Sequence, residues 1–327
     1  MQIFIDTNFD FMGKRRLCYF LSGSAIVLSI VSLLIHGGPR YSVDFTGGSF
    51  VEVQFPQPIE AGQLRAAMND VGLASAEIQR VGAGSDYILR MKEDEVAKIS
   101  KELVGGEISD PFGVIRKAVE RKMPGTEVIL RRQETVGPKI GSELRTKAVQ
   151  AVLVSLLLIL IYVAFRFPGV SYAVAAVLAL FHDVFITIGF FSVLGKEVSL
   201  TVLAALLTIA GYSINDTIVV YDRIREELRA HRRESLAWVM NKSVNLTLSR
   251  TVLTSFTVFV AALGLFLFGG TVIHDFAFAM LIGVVVGTYS SIFVASALVL
   301  SWTTWRSTRE TGRKGARRQS PAAAKTA

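Results

Sequence analysis

Six long apolar stretches punctuate this 327-residue chain, at 17–35, 148–165, 170–194, 198–220, 251–268 and 276–302. A hydrocarbon layer about 30 Å thick takes roughly 20 apolar residues to cross as a helix, and each stretch approaches or exceeds that length. They are unevenly spaced. A polar insertion at 36–147 separates the first from the second, and the remaining five follow one another closely except for a charged stretch at 221–249. The pattern predicts an α-helical membrane protein of six transmembrane helices, with one α+β domain inserted between helices 1 and 2.

Inside the insertion, 42–55 and 127–133 read as strands, and shorter strands fit at 76–81 and 87–91. Apolar positions recur at helical spacing over 59–71 and 114–121. The order β-α-β-β-α-β predicts a ferredoxin-like sandwich. The chain therefore divides into a terminal segment 1–16, a span 17–35, a folded domain with its linker at 36–147, five spans within 148–302, and a tail at 303–327. The tail is basic and poor in apolar residues, so it is expected to be disordered. Within the loop 221–249, Ile224, Leu228 and Leu236 among many arginines predict an amphipathic helix along the membrane surface, with a solvated charged loop as the alternative.

Composition agrees with the pattern. Half the residues are hydrophobic (51%), only 19% are charged, and the mean hydropathy is +0.46, more apolar surface than a soluble domain hides in one core. The net charge of +8 matters through its placement. Lys14, Arg15 and Arg16 precede the first span, Arg166 follows the second, and Arg223, Arg225, Arg229, Arg232, Arg233 and Lys242 follow the fourth. These and the basic tail all fall on one side, whereas the opposite short connections carry only Lys196. The positive-inside rule then puts both termini in the cytoplasm and 36–147 outside, and the basic charge faces membrane lipid rather than nucleic acid. A cleaved signal peptide would also begin with Lys-Arg-Arg and an apolar run. This run is long for one, ends in Ile35-His36-Gly37-Gly38-Pro39-Arg40 without an Ala-x-Ala site, and is read as a span.

The single cysteine, Cys18, excludes an intrachain disulfide and any cysteine-built metal centre. No Gly-x-x-x-x-Gly-Lys-Ser/Thr string offers an ATP phosphate cradle. The insertion has no Ser/His/Asp set and no metal-ligand cluster, and His36 is its one histidine. No cofactor and no enzymatic activity are expected, and the outer domain suits binding or force transmission.

Ionisable residues inside spans are costly and mark functional positions by default. Four stand out: His182 and Asp183 in the third span, Asp216 after Asn215 in the fourth, and Arg250 opening the fifth. Asp216 precedes Arg223, and Arg250 follows Lys242, by about 10–12 Å of helix at about 1.5 Å per residue, so the two reach one level. Asp183 lies deeper, about 20 Å along its helix from either end. A carboxylate in low dielectric stays ionised beside a guanidinium and takes up a proton when the two separate, so a helix shift of a few ångströms loads or releases a proton. A static salt bridge and, for His182 and Asp183, an interhelical hydrogen-bonded pair are the structural alternatives. Gly211-Tyr212-Ser213 is a place to loosen the fourth helix. Gly283-x-x-x-Gly287 in the sixth is a close-packing signal that Ser290, Ser291 and Ser296 extend.

Several strings together carry a resemblance: Val43-Asp44-Phe45-Thr46-Gly47-Gly48, Glu134-Thr135-Val136-Gly137-Pro138, His182-Asp183-Val184, Gly211-Tyr212-Ser213-Ile214-Asn215-Asp216-Thr217, Asp222-Arg223-Ile224-Arg225-Glu226, Thr247-Leu248-Ser249-Arg250-Thr251 and Gly287-Thr288-Tyr289-Ser290-Ser291. The chain resembles, over about residues 6–305, the SecF family of protein-export membrane subunits within the resistance-nodulation-division superfamily. The resemblance implies a bacterial inner-membrane protein that pairs with SecD and assists the SecYEG channel and the SecA motor, with YajC as a further partner. It implies that the proton motive force drives late steps in the export of unfolded polypeptides, with sodium as the alternative coupling ion. By motif, Asp216 and Arg250 take the coupling roles, with Asn215, Asp183 and His182 beside them. Asp44, Gly47 and Gly48 form the motif of the outer domain, and SecD supplies the remaining spans. A small-molecule or lipid exporter of the same superfamily would typically carry two large external loops in a longer chain. A purely structural subunit is the third reading.

Overall fold

The computed structural model describes residues 7–81, 84–103, 110–167 and 169–319. It divides into two compact units, one of Met1–Arg40 with Ala151–Ala327 and one of Tyr41–Gln150. In chain order the elements are α1 (Arg15–Ile35), α2 (Val43–Thr46), β1 (Gly48–Gln54), α3 (Ala61–Asp70), β2 (Glu77–Val81), β3 (Asp86–Met91), α4 (Glu93–Leu103), α5 (Pro111–Lys122), β4 (Ile129–Val136), α6 (Pro138–Arg166), α7 (Val170–Val193), α8 (Leu200–Ala230), α9 (Leu236–Phe268), α10 (Gly270–Tyr289) and α11 (Ser296–Gln319). A π-helical turn, Ser290–Ala295, joins α10 to α11. Among the described residues six helices are long and apolar enough to cross a membrane.

The second unit is a four-stranded antiparallel sheet of order β2-β3-β1-β4. The alternation of its central strands decides which face is covered. Val51 and Val53 on β1 stand opposite Leu89 and Tyr87 on β3. All four are fully buried against Leu64 and Met68 of α3, Val96 of α4 and Ile115 and Val119 of α5. Two expectations change here. The strand expected from 42 begins only at Gly48, because the Ser42 hydroxyl accepts the Asp44 N–H and starts a helical turn, and Gly47 (φ 75°) leaves it. A helix absent from the expected order, α4, fills the stretch after β3, with Glu93, Asp94 and Glu95 favourably placed in its first turn. His36, expected within this domain, belongs to the other unit, where it ends α1 with Nδ1 on the Ser32 carbonyl at 2.8 Å.

The Asp44, Gly47 and Gly48 motif makes the seat for the first turns of α6. A Cβ at Gly141 would lie 2.8 Å from the Gly47 nitrogen and 3.3 Å from the Phe45 carbonyl carbon, so helix and loop meet backbone to backbone. Arg145, one turn on, lies over the Tyr41 ring at 5.1 Å, and Tyr41 meets Phe45 edge-on at 5.9 Å. Gly48, at φ 124°, has the Met91 carbonyl where a Cβ would be, at 2.7 Å.

In the first unit, small residues set the helix spacing, as expected where lipid gives apolar side chains no reason to prefer a neighbouring helix. α1 buries Cys18, Ser22, Ser29 and Ser32. Ser29 fills the place of the missing Gly189 side chain on α7, where a Cβ would be 1.9 Å from its Oγ, and Ser32 bonds Ser192 at 2.8 Å. α8 is continuous through Gly211-Tyr212-Ser213. The irregular turn lies instead at Ser290–Ala295.

The charged stretch 221–249, expected as a loop with a surface helix, folds as the continuation of α8 and the start of α9, joined through residues 231–235. Some of its charges pair within the hairpin. The buried Glu227 carboxylate takes Arg223 at 2.7 Å, His231 at 3.0 Å and Lys242 at 3.0 Å. The tail expected to be disordered from 303 continues α11 as far as Gln319, since arginine, lysine and glutamate propagate a helix already nucleated by a span. Residues 320–327 lie outside the described residues.

Two substitutions test these contacts. Gly141→Ala is expected to cost about 1–3 kcal/mol as overpacking against fixed backbone, read as a lower denaturant midpoint of the second unit in the full chain. Gly189→Ala is expected to force α1 off α7 at a similar cost. Increased proteolysis of α1 in detergent would register it, and wild-type resistance would refute the close approach.

Candidate functional site

The bundle's deepest polar centre is Asp183 on α7, with no exposed surface. One carboxylate oxygen accepts the Ser213 hydroxyl of α8 at 2.6 Å. The other lies 2.9 Å from Nδ1 of its neighbour His182. α10 approaches this pair because Gly287 has no side chain: a Cβ there would be 3.2 Å from Ser213 Cβ and 3.6 Å from Asp183 Oδ2. One turn away Gly283 does the same against Ile209, whose side chain would be 2.2 Å from a Cβ. Three helices thus converge on one buried carboxylate. His182 stacks on Tyr289 at 6.3 Å, and its Nε2 is buried without a hydrogen-bond partner.

Asp216 lies on the same helix as Ser213, three residues further. Its side chain is buried (2% exposed), and Oδ2 has no hydrogen-bond partner. Arg250 on α9 is close enough to act on it through its field, but among the described residues no ion pair joins them. Arg250 instead points outward, exposed, as do Gly211 and Asn215 on α8. Asp216 and Arg250 thus stand on consecutive helices, the first buried and the second exposed.

A second hydroxyl group of contacts ties the same turn of α8 to the opposite side. Tyr212 donates to Ser255 of α9 at 2.8 Å, and Thr288 of α10 donates to the same oxygen at 2.6 Å. The sequence pointed to Gly211-Tyr212-Ser213 as a mobile point. The structure makes Tyr212 and Ser213 anchors, one to each side. Thr288 and Tyr289 fall in the string Gly287-Thr288-Tyr289-Ser290-Ser291 without a role read for them, and Ser255 was not singled out. No group of three His, Cys, Asp or Glu side chains able to hold a metal occurs among the described residues.

Comparison with known proteins follows the same lines. The family described as protein export membrane protein SecD/SecF, C-terminal, matches residues 115–305. The chain is 45% identical over 301 residues to the protein translocase subunit SecF of Magnetococcus marinus, covering 92% of this chain and 94% of that one. It is 42% identical over 301 residues to the SecF of Calditerrivibrio nitroreducens, covering 90% and 94%. Among solved structures it is similar to SecDF, a translocon-associated membrane protein from Thermus thermophilus, with a TM-score of 0.79 and 40% identity. That match covers 91% of this chain and 39% of the SecDF chain, so this chain spans well under half of that longer protein. It has the matching architecture, a mostly helical multi-pass membrane protein with a small antiparallel sheet domain. The chain belongs to the SecF family of protein-export membrane proteins.

Proposed function

We propose that this chain is the SecF half of a proton-driven translocase that promotes late steps of protein export through the SecYEG channel after SecA has acted. Coupling runs through Asp216 and Arg250. The observation that carries this reading is the contrast between them: a buried carboxylate with an unpartnered oxygen, beside an exposed guanidinium on the next span. A charge cannot face lipid without a partner or a water-filled cavity. A carboxylate in low dielectric releases its proton beside a guanidinium and holds it when the two are apart, so a helix shift that closes or opens the pair would move a proton. Proton binding and helix position are thereby one equilibrium.

The exposed polar face of α8 and α9, with Thr208, Gly211, Asn215 and Arg250, supports a partner there. SecD, the other part of a SecDF chain, is that partner, and YajC a further one. Both termini are cytoplasmic, and 36–147 lies on the periplasmic side of the inner membrane. The outer unit is ferredoxin-like by its strand order, and it handles the exported chain.

The test is export of a secretory reporter in cells carrying Asp216→Asn, with membrane abundance checked and the gradient varied by an uncoupler. Coupling of about 1–3 kcal/mol corresponds to about 5–150-fold, and loss of the uncoupler-sensitive part of export by such a factor is the expected result. Unchanged export at normal abundance removes the carboxylate from the mechanism. Arg250→Gln is expected to match Asp216→Asn, and the double variant to be no worse than either, because the two act as one unit.

A structural prediction accompanies it. Gly287→Ala narrows the gap beside Ser213 and Asp183 and is expected to impair gradient-dependent export while leaving the protein in the membrane. Wild-type uncoupler sensitivity of Gly287→Ala would show that this approach of α10 is not needed for coupling.

A further inference from the structure

The residues just ahead of α1 are held by α9 through side-chain amides. Asn245 Oδ1 accepts the Phe9 N–H at 2.9 Å, and its Nδ2 donates to the Phe9 carbonyl at 2.9 Å, the two bonds that a neighbouring strand would make. One turn earlier Asn241 Oδ1 accepts the Phe11 N–H at 2.7 Å and the Met12 N–H at 3.3 Å. Two asparagines four residues apart share a helix face, and here both bond the backbone of one segment. The side chains give the contact its direction: Phe11 and Met12 are buried in the core of the bundle.

From Phe11 a line of rings leads inward. Phe11 meets Phe293 edge-on at 5.3 Å, Phe293 stacks on Tyr289 at 5.2 Å, and Tyr289 stacks on His182 at 6.3 Å. His182 bonds Asp183. Tyr289 Oη also donates to the Cys18 carbonyl of α1 at 2.9 Å. Phe293 lies within the π-helical turn, and such turns recur at functional sites because the extra residue shifts the side chains that follow. The attachment of Phe9–Met12 to α9 rests on these four hydrogen bonds and on the burial of Phe11 and Met12.

We propose that Phe9–Met12 is a latch: docked on Asn241 and Asn245, it holds Phe293 and Tyr289 in the arrangement that positions His182 against Asp183. The link from His182 and Asp183 to export rests on the coupling reading above; the latch itself does not.

The test uses the full chain with its partner subunit in lipid nanodiscs, comparing wild type with Asn241→Ala/Asn245→Ala and, separately, Phe11→Ala. Amide exchange at Phe9, Phe11 and Met12 is expected to rise about tenfold or more in the double variant. The chain has four histidines, so 15N-histidine spectra, assigned with His182→Gln, report His182 directly. Its signals are expected to shift in both variants while those of His36 and His274 stay, and Asn245→Gln is expected to restore them in part. Amides that already exchange in wild type as fast as in a free peptide overturn the latch. Faster exchange with unmoved His182 signals overturns the transmission. Uncoupler-sensitive export is then measured beside Asp216→Asn. If His182 moves and export keeps its full uncoupler sensitivity while Asp216→Asn loses it, the latch has no part in coupling, and the link to export is overturned. If Asp216→Asn itself changes nothing, the coupling reading fails, and the exchange and histidine signals still decide the latch.

Discussion

Burying a carboxylate with no exposed surface is tolerable only when its oxygens are satisfied, and much of this bundle is arranged around that requirement at Asp183. The Ser213 hydroxyl must come from α8, the imidazole from His182 on the same helix, and α10 must lose a side chain at Gly287 for the other two to meet. Each demand fixes a helix. Gly283 against Ile209 continues the same approach one turn away, and Tyr212 with Ser255 and Thr288 holds the other flank of α8. The position of Asp216 along α8 therefore follows from contacts made one turn earlier on the same helix, not from a partner of its own.

Much of this was legible in the chain. Six apolar stretches of spanning length and a polar insertion between the first two give the architecture, because burial in lipid demands helices of set length whatever the tertiary contacts. The strands of the second unit were legible too, since alternation at Val51, Val53, Tyr87 and Leu89 is a local signal. The misread elements share a cause. At Ser42–Gly47 a cap and a positive-φ glycine override β propensity, and at 221–249 the charges that suggest solvent are paired with one another around Glu227. Composition describes what a segment contains, not what it meets.

The site was half legible. Intramembrane position alone singled out Asp183, Asp216 and Arg250, because charge in lipid is rare and costly. What position along a helix cannot give is the direction a side chain faces. Counting residues puts Asp216 and Arg250 at one level, but only the rotation of about 100° per residue explains why Asp216 is buried while its neighbour Asn215 is exposed. The residues that hold the site together, Ser213, Ser255, Thr288 and Tyr289, are ordinary hydroxyl side chains that gain meaning only from the helices opposite.

That outward face bears on what kind of object the chain is. In a membrane an apolar exposed surface needs no explanation, so the long exposed side chains of α6 and the outer turns of α9 are neutral on the question of a partner. Exposed polar groups are not neutral. Thr208, Gly211 and Asn215 mark one stripe of α8 at spacings of three and four residues, and Arg250 stands on the neighbouring helix. Lipid offers none of these groups a hydrogen bond, whereas a second helical surface does. The inward face of α8 carries Asp216 and its outward face this stripe, so under the proposed pairing a shift of the neighbour against the stripe would move the helix that holds the acid. On that reading, a buried carboxylate on a helix gripped from outside is the arrangement in which protonation and relative movement of two halves become the same event.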